Sequence, residues 1–242
     1  MSMKPQTRVG RVLIVVAVSL LLAGAARAGD ARILTIGDSL LASHAISGRA
    51  VADHLERELK QPVKDRSIAG ARMIYNLPIT GALGMSIPAQ FNSKKSWEWV
   101  VMTGGGNDLF LGCGCNQCDR RINKLIADDG SRGKIPSLMA KIRRSGAQVV
   151  YVGYLRSPGM GSPIESCKVH GDKLEDRIAR LAERVDGVHY VSLQDIVPYG
   201  DRSYFAFDMI HPSLKASREI AGRIADVIRP NLVTSASYKP TN

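Results

Sequence analysis

Three side chains in this sequence have the types needed for acyl transfer through a covalent intermediate. Ser39 lies in Gly37-Asp38-Ser39-Leu40, and Asp208 and His211 lie together in Asp208-Met209-Ile210-His211. A serine hydroxyl is a weak nucleophile until a histidine takes its proton, and that imidazole needs a carboxylate to fix its tautomer and orientation. The Asp-x-x-His spacing supplies both partners within one turn, and Pro212 keeps His211 out of helical conformation. The chain order Ser39, Asp208, His211 is permitted, because such triads are defined by geometry. The oxygen that becomes negative during attack requires oriented donors. Gly70 in Ile68-Ala69-Gly70 can offer its backbone N–H, Asn107 in Gly104-Gly105-Gly106-Asn107-Asp108 its side-chain amide, and Ser39 its own N–H.

Cysteine provides a second constellation. Cys113, Cys115, Cys118 and Cys167 are the four in the chain. In an exported protein an even number favours disulfides, and we expect Cys167 to bridge to one of the clustered three while the other two pair locally. Cys113 with Cys115 is the least comfortable local pair, since a disulfide closes poorly across one residue. The competing reading is zinc, for which Cys113, Cys115, Cys118, Cys167 and His170 offer thiolate and imidazole donors. His44, His54, His170 and His189 read as structural or surface residues, with His44 near enough to Ser39 to line a cleft.

The elements that must position these groups alternate between strand and helix. Short buried runs at Arg32–Ile36, Val63–Ile68, Trp97–Thr103, Gln148–Tyr154 and His189–Leu193 read as five strands. Apolar residues at helical spacing mark Ile46–Leu59, Ile135–Arg144, Lys173–Val185 and Ser213–Ile228, the last with Pro212 suited to its start and Pro230 to its end. This pattern predicts a parallel sheet covered on both faces, with a site at the carboxyl ends of the strands near a topological switch point. Ser39, Gly70 and Asn107 follow the first three strands, and Asp208 and His211 precede the last helix.

Gly37-Asp38-Ser39-Leu40, Gly70, Gly105-Gly106-Asn107-Asp108 and Asp208-Met209-Ile210-His211 resemble, in order, the four blocks of the SGNH (GDSL) hydrolases. The resemblance spans about Ile33 to Ile228. It implies an α/β fold: a three-layer α/β/α sandwich, flavodoxin-like, with a five-stranded parallel sheet. It also implies Ser39 as nucleophile and oxyanion donor, Gly70 and Asn107 as further oxyanion donors, His211 as base and Asp208 as its partner. Asp108 would shape the Asn107 loop rather than do chemistry. Esterases, lipases, thioesterases and carbohydrate deacetylases share this family.

Charge and hydropathy set the remaining bounds. Of 242 residues, 33 Lys+Arg against 22 Asp+Glu give +11, which by itself suggests a polyanion partner. Lys4, Arg8, Arg11 and Arg27, however, flank or precede the apolar run Val12–Ala26, which ends in Ala26-Arg27-Ala28. That is the layout of a signal peptide cleaved after Ala28, with an apolar run of about 15 residues, short of the roughly 20 a membrane span requires. Removing 28 residues with four basic and no acidic side chains leaves 214 residues at +7. We expect residues 1–28 as leader, 29–232 as the hydrolase domain and 233–242 as a disordered tail, in a secreted or periplasmic monomer. No basic run with interleaved aromatics points to nucleic acid.

The expected function is therefore an exported esterase acting on a small-molecule or polysaccharide ester, with no metal or organic cofactor required. Its alternatives are acyl transfer or O-deacetylation on cell-envelope or extracellular polysaccharide, and a non-catalytic carbohydrate-binding module on the same fold. Substrate choice would come from Ala71–Ser96, Cys113–Cys118 and Leu155–Cys167, the last a mobile loop over the cleft. Arg72, Arg156 and Lys168 could favour an anionic or polar substrate, the alternative being that each is solvated surface charge.

Overall fold

The computed structural model describes residues 31–159 and 161–232, so the expected leader and C-terminal tail lie outside the described residues. Five strands, β1 (Ile33–Ile36), β2 (Val63–Asp65), β3 (Trp99–Met102), β4 (Gln148–Val152) and β5 (Val188–Val191), form one parallel sheet in the order β2-β1-β3-β4-β5. Ile33 pairs with both Val63 and Trp99, Trp99 with Gln148, and Val149 with Val188. The chain order reverses between β1 and β3, which is where an open parallel sheet leaves a crevice at its carboxyl edge.

Strand alternation decides the two faces. Leu34, Ile36, Val100, Met102, Val149 and Tyr151 point into one core, with Leu109, Ile122, Leu138 and Ile178 from the helices above. Those helices are α3 (Gly106–Cys113), α4 (Asp119–Leu125), α5 (Lys134–Arg144) and α6 (Lys168–Arg184). Ile33, Trp99, Val101, Val150 and Val152 point to the opposite core. There they meet Val51 and Leu55 of α2 (Val51–Leu59) and Ile220 and Ile224 of α7 (Leu214–Ile228). A four-residue helix, α1 (Ser39–Ala42), completes the first crossover. Sheet and two helical layers give the expected sandwich.

Several boundaries differ from the expected ones for local reasons. The single helix expected at Ile46–Leu59 is broken: a 3₁₀ turn covers Ala45–Ser47, and α2 starts at Val51, after left-handed Gly48 at φ 64°. β2 ends at Asp65, whose carboxylate turns to accept from the Thr35 hydroxyl at 2.7 Å and from Ser67. Helix α6 begins five residues before the expected Lys173. Helix α7 starts at Leu214, capped by the Ser213 hydroxyl rather than begun by Pro212. Helices α3 and α4 are additional to the expected set.

Candidate active site

The loop after β1 is built to present Ser39. At Gly37, φ is 154° and a Cβ would lie 2.6 Å from the Thr103 methyl and 3.1 Å from the Thr103 carbonyl, so only glycine fits between β1 and β3. The Gln90 amide grips this peptide from both sides, accepting from the Gly37 N–H at 2.6 Å and donating to its carbonyl at 3.0 Å. Asp38 then caps α1, with Oδ1 accepting from the Leu40 N–H at 3.0 Å, while its carbonyl accepts from Leu41 and Ala42. The Ser39 N–H is left without an acceptor among the described residues.

A hydrogen-bond chain joins three strand ends behind Ser39. The Gly106 N–H donates to the Tyr154 hydroxyl at 3.0 Å, which donates to Asp38 Oδ2 at 2.6 Å. Burial pushes the Asp38 carboxyl up, opposed by these bonds, and pushes the Tyr154 phenol well above its ordinary range. Tyr154 is in turn seated by buried Glu175, which accepts from its N–H at 2.9 Å and from the Arg156 guanidinium at 2.9 Å. Nothing in the sequence around Tyr154, Gln90 or Glu175 marks them for this role, since their partners lie far away in the chain.

Asp208 and His211 meet as the spacing predicts. Asp208 Oδ1 accepts from the Ile210 and His211 N–H groups, both at 3.0 Å, leaving Oδ2 for His211 Nδ1 at 2.6 Å. Partial burial works against ionisation of Asp208, but these donors outweigh it and hold its carboxyl at about 2. His44 Nε2–H donates to the carbonyl of Pro212, the next residue, at 3.0 Å. His44 therefore braces the His211 segment and does not line the cleft.

Ser39, Asn107 and His211 line one cavity of about 110 Å³, with Asp38, Gly106 and Tyr154 beside them. Asp208 stands behind His211 and Gly70 outside the lining. Gly70, at φ 80°, has no acceptor for its N–H among the described residues. Its loop is stitched to that of Asn107: the Asn107 amide donates to the Ala71 carbonyl at 3.1 Å, leaving its second N–H for another partner. Asp108 accepts from the Met73 and Ile74 N–H groups, each at 2.9 Å.

That carboxylate is buried, and desolvation pushes it up to about 6 against the two backbone donors. Between its usual 3.8 and about 6 the folded protein keeps a proton that the unfolded chain releases. The stability this confers is complete below about pH 4 and is lost as pH rises through 6, a step of about 3 kcal/mol. Urea unfolding from pH 4 to 7 should show wild type losing that amount relative to Asp108→Asn, which cannot titrate. Parallel pH curves for the two proteins would exclude Asp108 as the source.

Two expectations about the surroundings are corrected. Neither Ala71–Ser96 nor Cys113–Cys118 lines the cavity; its walls come from Asp38–Leu40, from α3, from Tyr154–Ser157, Ile164 and Cys167, from the start of α6 and from Ile210–Pro212. Nor are the charges of Arg156 and Lys168 free. Arg156 donates to Asp172, Glu175 and the Tyr154 carbonyl, which also fixes it against the expected mobility of its loop, and Lys168 pairs with Asp172 at 2.8 Å. The cysteines pair as Cys113–Cys118 and Cys115–Cys167, which removes the thiolates a zinc site would need. Among the described residues no helix is long and apolar enough to cross a membrane.

Known proteins place this arrangement. Residues 35–218 match the GDSL-like Lipase/Acylhydrolase family. No curated protein matches the sequence. The fold is similar to that of a protein of Slackia heliotrinireducens assigned to the SGNH hydrolases, with TM-score 0.57 and 22% identity over 82% of this chain and 98% of that one. It is also similar to a family two carbohydrate esterase from Clostridium thermocellum in complex with cellohexaose, at TM-score 0.54 and 17% identity over 84% of this chain and 64% of that one. A third likeness is to the psychrotrophic esterase EstA from Pseudoalteromonas sp., at TM-score 0.53 and 18% identity over 82% and 96%. Since the family match runs over well more than half of the sequence and includes Ser39, Gly70, Asn107, Asp208 and His211, the chain belongs to the GDSL-like lipase/acylhydrolases, the SGNH hydrolases.

Proposed function

We infer that the protein is an exported serine esterase in which Ser39 attacks the ester carbonyl and His211 takes its proton. The observation that supports this most directly is the 2.6 Å bond between His211 Nδ1 and Asp208 Oδ2, at the wall of the cavity that Ser39 lines. With Nδ1–H donated to the carboxylate, Nε2 carries the lone pair that a general base needs. The proton then passes from the imidazolium to the departing alcohol, and water, deprotonated by the same nitrogen, releases the acid from the acyl-Ser39 ester. The N–H groups of Ser39 and Gly70 and the second N–H of Asn107 would bind the oxyanion; one such donor is worth about 10²–10³ in turnover.

Two disulfides and the leader-like N-terminal sequence support export. A fluorophosphonate probe tests the chemistry directly. The folded wild type should gain one adduct, mapped to Ser39 by peptide mass and absent from Ser39→Ala. Folded protein that stays unlabelled would favour a non-catalytic carbohydrate-binding role.

A further inference from the structure

The cavity beside Ser39 exists where helix α6 lacks a side chain. Cys167, Lys168, Gly171, Leu174 and Glu175 all line it, and their spacing of three and four residues puts them on one helical stripe. Four of the five are engaged: Cys167 with Cys115, Lys168 with Asp172, Leu174 in the core and Glu175 with Arg156. At Gly171, by contrast, an added Cβ would meet nothing within 4 Å. Its φ does not lie in the left-handed region, so backbone conformation does not call for glycine there. Glycine also weakens a helix interior relative to any ordinary residue except proline. What glycine does provide at this position is space.

The chemistry of that space is apolar. Leu40, Leu109, Phe110, Leu155, Ile164 and Leu174 supply its walls. Of the titratable side chains that reach it, Arg156, Lys168 and Glu175 are engaged in ion pairs with one another or with Asp172, Asp38 accepts from the Leu40 N–H and the Tyr154 hydroxyl, and His211 is bonded to Asp208. A charged or polyhydroxylated group entering there would lose water and find few free partners, whereas an alkyl chain would lose nothing. At about 10–15 Å³ per water-sized position, 110 Å³ is room for several methylenes rather than a single methyl.

We propose that this cavity holds the unbranched alkyl chain of the ester substrate and that Gly171 sets the chain length it accepts. Turnover in this picture rests on the esterase reading; binding of the chain does not. Two ester series locate the chain: p-nitrophenyl esters from acetate to dodecanoate lengthen the acyl side, and acetates of ethanol to dodecanol lengthen the alcohol side. In whichever series carries the chain, wild type should prefer members of about six to ten carbons. Gly171→Leu should lower the ratio of kcat/KM for the eight-carbon member to that for the two-carbon member at least tenfold, mainly through KM. Its melting temperature should be unchanged or higher, because leucine is the better helix former. Phe110→Ala, which widens the opposite wall, should move the optimum toward longer chains. Calorimetric titration of octanoate and of octanol into Ser39→Ala and into Ser39→Ala/Gly171→Leu separates binding from chemistry: the second variant should bind the favoured ligand at least tenfold more weakly. Chain binding that responds to Gly171, together with a wild-type protein that hydrolyses no member of either ester series, would refute the esterase reading and leave the pocket standing. Both series and both titrations indifferent to Gly171 would overturn the proposal.

Discussion

His211→Ala is expected to lower kcat on a short p-nitrophenyl ester by about 10⁴- to 10⁶-fold, and Asp208→Asn by about 10²- to 10⁴-fold. The two numbers differ because the side chains act at different removes from the ester. On the proposed mechanism His211 is the base itself. Asp208 acts through His211. Its Oδ1 already accepts from two backbone N–H groups, and an asparagine oxygen can do the same, so the turn survives the substitution. What changes is the other atom: an amide NH₂ facing His211 Nδ1 favours the tautomer whose Nε2 carries a proton and can no longer accept one. The pair is also partly open to water, with His211 38% and Asp208 46% exposed, and solvent can stabilise some of the imidazolium that the carboxylate no longer does. This places the asparagine variant at or below the loss expected for a fully buried pair. With the Asp208 carboxyl held at about 2, its own protonation does not limit activity at mildly acidic pH. Steady-state kinetics on both variants checks the ordering; equal losses would mean that Asp208 does more than orient and charge-balance the imidazole.

The residues that could be read from sequence and those that could not differ in how far away their partners lie. Ser39, Asp208 and His211 are legible because the chemistry demands particular types, and because Asp208 and His211 satisfy each other three residues apart. β1, β3 and β4 are legible because strands buried on both faces become short Val- and Ile-rich runs. Gln90, Tyr154 and Glu175 are ordinary residues in local context. Gln90 holds a peptide 53 residues away, and Tyr154 bonds a carboxylate 116 residues away, so no spacing announces them. Helix α3 fails for a related reason. Its residues, with Gly106, Asn107 and Gly112, have poor helical propensity. It is held by tertiary ties, including Asp108 to Met73 and Ile74 and the two disulfides at its C-terminal end. Gly171 has no sequence signal at all, because what it contributes is empty space.

Replacing Cys115 and Cys167 together by alanine is expected to cost about 4 kcal/mol of stability, twice the roughly 2 kcal/mol for Cys113 with Cys118. The asymmetry follows from loop length: the first bridge closes 52 residues and the second 5, and a longer closed loop removes more freedom from the unfolded chain. For a domain of this size 4 kcal/mol corresponds to a fall in melting temperature of about 10 °C. Dithiothreitol on the wild type should lower it by at least as much, since both bridges open. The long bridge also has a structural consequence that the short one lacks. Cys115 follows α3 and Cys167 precedes α6, so their bond ties together the two helices that wall the alkyl cavity. Loss of Cys115–Cys167 should therefore raise KM for eight-carbon esters more than for acetate at temperatures where the variant is still folded. Loss of Cys113–Cys118, which closes a short turn after α3 outside the cavity lining, should leave that ratio near the wild-type value. Equal shifts in melting temperature and in chain-length ratio for the two double variants would mean that the bridges act only as general staples, with no part in holding the cavity open.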